Sequence, residues 1–316
     1  MFCILTDSED PFFNLAIEEY LLKNSREEYL ILGVNSQAVI IGKHQVAHRE
    51  TDTRYVTENN IPVIRRISGG GTVFHDSGNL NFSFLANSEK GRQIDFRRYT
   101  SPVINFLDSE GIIASLEGKN DLKTGGLKIS GNAEHVWKER VLHHGTLLFD
   151  ANLDRLRLSL RKDTARYGTR AVNSNPSQVT NISAVTDRKQ GILDFRNAMA
   201  AWFVNNIPGT EVGYLTETEK KAIRILAEDK YHSWEWNYGY GPDYHFTALS
   251  EYKCNLYTIH FFVRDGIISE CTIRGNGDLE KVAKLLEGCR HMPGDIEERL
   301  AGGGIMTDHD FVFSLF

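Results

Sequence analysis

Cysteine is scarce in this chain, and what there is forms no pattern. Cys3, Cys254, Cys271 and Cys289 contain no C-x-x-C pair, so neither a disulfide framework nor a structural zinc site is expected. No run approaches the ~18 consecutive apolar residues of a membrane helix. Asp7, Glu9 and Asp10 precede the first basic residue, unlike a secretory signal. Basic charge is not in excess either. The net charge of −6 argues against a general nucleic-acid binder. No internal repeat is visible, which excludes solenoids and propellers. What remains is an ordinary globular composition over 316 residues, long enough for about two domains of ~150 residues. The expectation is a cytoplasmic enzyme without nucleic-acid or membrane partners.

The first helix is the best signalled element. Asp10 can cap it, Pro11 suits its first position, and residues 12–22 supply apolar side chains. Strands are predicted at 29–34, 38–41, 61–66, 72–75 and 79–85, the last with one buried face from alternating Leu80, Phe82 and Phe84. Ser101-Pro102 reads as the start of a second helix ending near Gly111. Strand-like segments follow at 112–116, 127–130 and 145–149, then a helix at 152–160. Residues 161–182 lack periodicity and read as a long loop, a kind that is commonly functional. Helices are predicted at 192–206 and, from the Thr216/Glu219 capping box, to about 229. After the aromatic stretch 233–244, strands at 252–263 and 267–273 are joined at Asp265-Gly266, a hairpin signal. Two more helices, at 279–289 and 295–300, complete a small α+β unit. We place the boundary near 248: a catalytic domain 1–248 and an accessory domain 249–316.

Four groups of residues stand out. Arg65 to Asp76 reads RRISGGGTVFHD: a glycine triplet exposes main-chain N–H groups beside two arginines that suit a carboxylate or phosphate. It is not G-x-x-x-x-G-K-[ST], and its flanks are strand and strand, so P-loop and Rossmann readings fall. Asn120 and Asp121 offer oxygen ligands of the kind magnesium takes. Lys128 sits opposite its apolar neighbours Leu127 and Ile129 on a short strand, facing solvent or a site. His143 and His144 lack a third ligand at metal spacing. Arg155, Arg157, Arg161, Lys162, Arg166 and Arg170 form a local basic stretch, either a solvated face or an attractor of phosphate.

In this order and spacing the segments FNLAIEEYLL, VIIGKHQ, RRISGGGTVFHDSGNLNFSF, GKNDLK, LKISGNA, LHHGTLLFD, VTNIS and SWEWNYG resemble the lipoate–protein ligase family. The resemblance implies an α/β (α+β) architecture: a large catalytic domain of the biotin/lipoyl-ligase type, with mixed sheets and flanking helices, and a small accessory domain. It implies an enzyme that uses ATP and Mg2+ to convert lipoate to lipoyl-AMP. The lipoyl group then passes to a lysine on lipoyl domains of 2-oxoacid dehydrogenase complexes or on the glycine-cleavage H protein. By the same resemblance Lys128 is the central catalytic lysine. Arg66, Ser68, Gly69, Gly70 and Gly71 border the acyl-adenylate, and His75 and Asp76 shape its nucleotide side. Asn120 and Asp121 form the metal side, while Ala133, His144 and Gly145 line the acyl pocket. Residues 166–181 correspond to a loop that closes over the adenylate. The family commonly has tryptophan where this chain has Gly33, so the pocket is expected to be wider or filled from elsewhere. The closing loop lacks a family arginine and contains Pro176. That keeps an alternative: a transferase of preformed acyl-adenylate that adenylates inefficiently. A thioester-relay transferase needs a cysteine in the large domain, where only Cys3 lies. A biotin ligase and a non-catalytic binding protein rank below both.

Overall fold

The computed structural model describes the chain except residues 89–93, 162, 175–176, 253–254, 276–278 and 307. Lys162, Asn175, Pro176 and Cys254, singled out above, lie outside the described residues. Among those described, the central feature is an eight-stranded mixed sheet. Its strand order is Glu211–Val212, Phe2–Leu5, Tyr29–Val34, Asn79–Asn87, Arg140–Leu148, Leu127–Trp137, Asp121–Thr124 and Ser115–Glu117. Pairing is parallel through Tyr29–Val34 and antiparallel beyond it.

Helices cover both faces, and the strand residues alternate accordingly. Leu80, Phe82, Phe84 and Ala86 point to the side packed with Val103, Phe106, Met199 and Phe203 of helices Phe96–Ser109 and Ile192–Asn206. Leu85 points the other way, toward Leu15, Leu21 and Leu22 of helix Pro11–Asn24. The strand Asn79–Asn87 is therefore buried on both faces, not on one as its alternation predicts. Asn81 and Ser83, between those apolar positions, turn to a cavity.

Asp10 caps the first helix by accepting a hydrogen bond from Phe12 N at 2.9 Å. The second predicted helix starts earlier than expected, after the short helices Ala47–Glu50 and Thr53–Glu58: Asp95 caps it, and Pro102 sits inside Phe96–Ser109. The apolar stripe of Tyr99, Val103, Phe106 and Leu107 crosses the proline, and this buried face outweighs the lost N–H. A three-stranded sheet of Val63–Arg65, Ala38–Ile41 and Val73–His75 packs over the first helix and brings the glycine triplet to the large sheet.

A four-stranded sheet contains Tyr167–Gly168, Tyr244–Tyr252, Asn255–Arg264 and Ile267–Arg274. Its core includes Phe246, Ile259, Phe261 and Leu286, closed by helices Leu279–Leu286, Pro293–Gly302 and His309–Phe313. Asp265 and Gly266 both take positive φ, as the predicted two-residue hairpin requires. Residue 248 falls in the middle of Tyr244–Tyr252 rather than in a linker. The segment 161–182 is likewise not wholly irregular, because Tyr167–Gly168 pairs with that strand. No helix among the described residues is long and apolar enough to cross a membrane.

Candidate active site

A cavity of ≈ 560 Å³ opens on the helix Pro11–Asn24 side of the large sheet. Its floor is two neighbouring rows of cross-strand partners. One runs Ile31, Ser83, His144, Ala133; the other runs Gly33, Asn81, Thr146. Backbone alternation alone places these side chains on one face. Gly33 continues to Thr6, whose hydroxyl stands where a Cβ on Gly33 would go. Thr6, one residue past the strand Phe2–Leu5, thus occupies the space beside Gly33. Gly145 is required for close packing beneath the floor, since a Cβ there would strike Asn132 Oδ1 and the Phe82 ring.

The roof is Arg66, the glycine triplet, Thr72, Val73 and His75. Gly70 has φ +90°, a conformation that favours glycine. The Gly70 carbonyl oxygen lies so close to Gly42 that no Cβ fits between them. Arg66 is buried; its Nη2 donates to Gly69 O at 2.6 Å and Gly71 O at 2.7 Å, and its Nε to Ser68 Oγ at 2.9 Å. Burial lowers its pKa to about 10, opposed by Glu18, so it stays cationic at neutral pH. His75 accepts from Asn35 Nδ2 at 3.0 Å. Burial, then Arg66 and His144, push its pKa down to about 3, so it is neutral.

One end of the cavity carries the charged groups. Lys128 Nζ lies 2.8 Å from Asp121 Oδ1, and its side chain folds over Gly131. An irregularity of pairing between Leu122 and Lys123 offsets the strands at this point. Asn120 is tied to Asn132 through reciprocal main-chain and amide hydrogen bonds. The loop from the 161–182 segment closes this end: Val172, Asn173 and Ser174 line the cavity. Lys128 N donates to Gln178 O, and Thr180 N donates to Lys128 O. Ser174 Oγ accepts from Thr72 N at 2.9 Å and donates to the Glu50 carboxylate.

Most of the residues singled out in the sequence therefore meet: Lys128, Arg66, Gly69 to Gly71, His75, Ala133, His144, Gly145, Asn120 and Asp121 all border the cavity. Two do not. Asp76 is committed to a turn, accepting from Gly78 N at 2.9 Å and Asn152 N at 2.7 Å. Ser68 is fully buried behind the wall, between Arg66 and His144. The basic stretch does not converge on the cavity. Arg155 reaches Gln37, Arg157 pairs with Asp154, Arg161 reaches the carbonyls of His48 and Thr51, and Arg166 lies near Asp163. Arg170 is not among the lining residues.

Glu18 went unnoticed in the sequence, although two adjacent glutamates inside an otherwise apolar helix were the signal. Glu18 Oε2 lies 2.9 Å from His144 Nδ1 in the cavity wall. Glu19, on the neighbouring face, is buried with Lys230, Lys23 and Tyr231.

A family model, the lipoyl protein ligase A/B catalytic domain, matches residues 10–204. The chain is also 37% identical to lipoate-protein ligase LplJ of Bacillus subtilis (strain 168), over 96% of both lengths. The chain belongs to the lipoyl protein ligase family. Among solved structures, lipoate-protein ligase A bound with ATP aligns with a TM-score of 0.64 at 28% identity, covering 76% of this chain and 98% of that one. A structure described as a bi-partite lipoate protein ligase and its E2 lipoyl domain from Thermoplasma acidophilum aligns with a TM-score of 0.65 at 28% identity, covering 76% and 96%. These likenesses agree with the lipoate-ligase-type fold expected from the sequence. Cys3 is buried and does not line the cavity, and burial pushes its thiol up to about 11, all of which disfavours a thioester relay through it.

Proposed function

We propose that this chain is an ATP-dependent lipoate–protein ligase acting in two steps. The lipoate carboxylate attacks the α-phosphorus of ATP, giving lipoyl-AMP and releasing pyrophosphate. A lysine amine of an acceptor domain then attacks the acyl carbon and releases AMP. The observation that carries this reading is one cavity bounded by the Lys128 ammonium at one end and the Arg66-braced glycine triplet above. An ammonium with three donors can hold a carboxylate and a phosphate together while negative charge builds between them. Its role is alignment and electrostatic stabilisation. Cavity-lining Ile31, Ile40, Leu15 and Ala133 supply the apolar surface for the acyl chain. The ligase relatives favour this reading over a transferase confined to preformed adenylate.

Among the described residues no cluster of three His, Cys, Asp or Glu exists to hold a resident metal. One carboxylate and one amide oxygen fit a magnesium ion that arrives on the nucleotide, since this ion takes one or two carboxylates besides phosphates. Asp121 and Asn120 would hold it, and it would neutralise phosphate charge. Asp121 must then share its carboxylate between the ion and Lys128.

Lipoyl domains are the proposed acceptors, in keeping with the archaeal relative's pairing with an E2 lipoyl domain. The glycine-cleavage H protein is a second proposed acceptor, and the cytoplasm the proposed compartment. We also propose the catalytic and accessory domains expected from a boundary near 248; the C-terminal sheet's cluster of Ile259, Phe261 and Leu286 supports the smaller one. Intact-mass analysis of a purified lipoyl domain tests the function. Lipoylation with lipoate and ATP is the expected result. Modification only with synthetic lipoyl-AMP would return the reading to the transferase alternative.

A further inference from the structure

We infer that Glu18 is a positioning residue of the adenylation step, setting the glycine triplet through a directed chain of hydrogen bonds. The proposal rests on the ligase reading above. The chain begins at the Glu18 carboxylate, which is buried and can only accept when ionised. It therefore accepts hydrogen bonds from His144 Nδ1–H at 2.9 Å and from Ser83 Oγ–H at 2.5 Å. In the imidazole form with its one N–H on Nδ1, His144 presents a lone pair at Nε2. Ser68 Oγ, 2.6 Å away, must then donate to Nε2. The Ser68 oxygen is left to accept from Arg66 Nε at 2.9 Å. Arg66 in turn fixes Gly69 O and Gly71 O through Nη2, and Ile40 O through Nη1 at 3.2 Å.

Every donor in the series points from the guanidinium toward the carboxylate, so one charge at each end selects one arrangement. The other tautomer, or the imidazolium, would present Nε2–H to Ser68 and force Ser68 to stop donating there. Arg66 Nε would then lose the orientation of its acceptor. Because a peptide unit points its N–H opposite its C=O, holding Gly69 O turns Gly70 N–H away from Arg66. Among the described residues neither Gly70 N nor Gly71 N has a protein acceptor. The orientation of the Gly70 N–H toward bound phosphate thus depends on Glu18 of helix Pro11–Asn24.

The test uses the full-length chain labelled with 15N-histidine, as parent, Glu18→Ala, Glu18→Gln and Ser68→Ala. In the parent, His144 should show protonated Nδ1 and unprotonated Nε2. Glu18→Ala should abolish that tautomer and slow ATP–pyrophosphate exchange by about 10²-fold, with KM for ATP changed little. A glutamine amide can turn either its oxygen or its NH2 toward His144, so it no longer selects one tautomer. Glu18→Gln should therefore weaken the tautomer preference and give a rate between those of the parent and Glu18→Ala. Ser68→Ala should reproduce the rate loss, with no further loss when combined with Glu18→Ala. A flipped tautomer with full exchange, or additive losses in the double variant, overturns the proposal. If Glu18→Ala does not fold, Ser68→Ala decides: full exchange without the Ser68 hydroxyl overturns it. Absent exchange in the parent sinks the ligase reading instead, while the tautomer measurement still reports on the chain.

Discussion

Gly42→Ala tests whether the roof is held by backbone contact. A Cβ at Gly42 would collide with the Gly70 carbonyl oxygen and stand 3.1 Å from its carbon. The obstacle is main chain, so no rotamer change relieves it. The triplet must move by on the order of 1 Å to restore ordinary contact, a displacement that can cost about 10² in rate. Overpacking should also destabilise the fold by about 1–3 kcal/mol. Gly69 supplies the contrast, because a Cβ there meets nothing within 4 Å. Urea denaturation should therefore show a loss for Gly42→Ala and a change within about 0.5 kcal/mol for Gly69→Ala. Lipoate-dependent pyrophosphate exchange should fall about a hundredfold in Gly42→Ala. Equal stabilities for the two variants, or full exchange in Gly42→Ala, would refute the packing argument.

Acid should destabilise the protein well before its carboxylates titrate. His48, His75 and His291 are buried, and burial holds each below the usual imidazole range, His75 and His291 at about 3. Above about pH 6.5 both folded and unfolded chains keep these rings neutral; below it only the unfolded chain takes up protons. Stability from urea titrations should drop by about 4 kcal/mol in all between pH 7.5 and 5.5, and a flat profile would contradict this. Arg65 is wholly buried and donates to the carbonyls of Gly42, Lys43, Gln45, Trp236 and Asn237. Arg65→Met should cost at least about 3 kcal/mol by orphaning them; a smaller loss in chemical denaturation would show that water replaces the guanidinium. Gly33→Ala should weaken lipoate-dependent exchange by crowding Thr6, and Thr6→Ala should restore it. Failure of that rescue would place the Gly33 effect elsewhere.

Local signals account for the elements that were legible in the sequence. The Asp10-Pro11 start, the 29–34 and 38–41 strands, the helix Ile192–Asn206 and the Asp265-Gly266 hairpin depend on caps, turns and short-range periodicity. Long-range pairing was hidden. Phe2–Leu5 becomes a strand by lying between Tyr29–Val34 and Glu211–Val212. Tyr167–Gly168 joins the C-terminal sheet across more than 70 residues of chain. Pro102 misled because its helix is held by a buried stripe on both sides of it. The motif residues mark the cavity well, but the sequence does not distinguish a lining side chain from one behind it. Hence Ser68 reads as bordering the adenylate and Asp76 as shaping its nucleotide side, while in the structure Ser68 braces Arg66 and Asp76 stabilises a turn. Glu18 escaped because its role exists only once helix and sheet are packed together.

The most direct test of the central claim is lipoate-dependent ATP–pyrophosphate exchange by the purified protein beside Lys128→Ala. Lys128 places one of the cavity's ammonium groups against Asp121, and removing a preorganised donor of this kind costs about 10²–10³ in rate. The expected result is exchange in the parent, reduced at least a hundredfold in a folded Lys128→Ala. Exchange that survives unchanged in the variant, or is absent from the folded parent, would contradict the claim that this cavity adenylates lipoate.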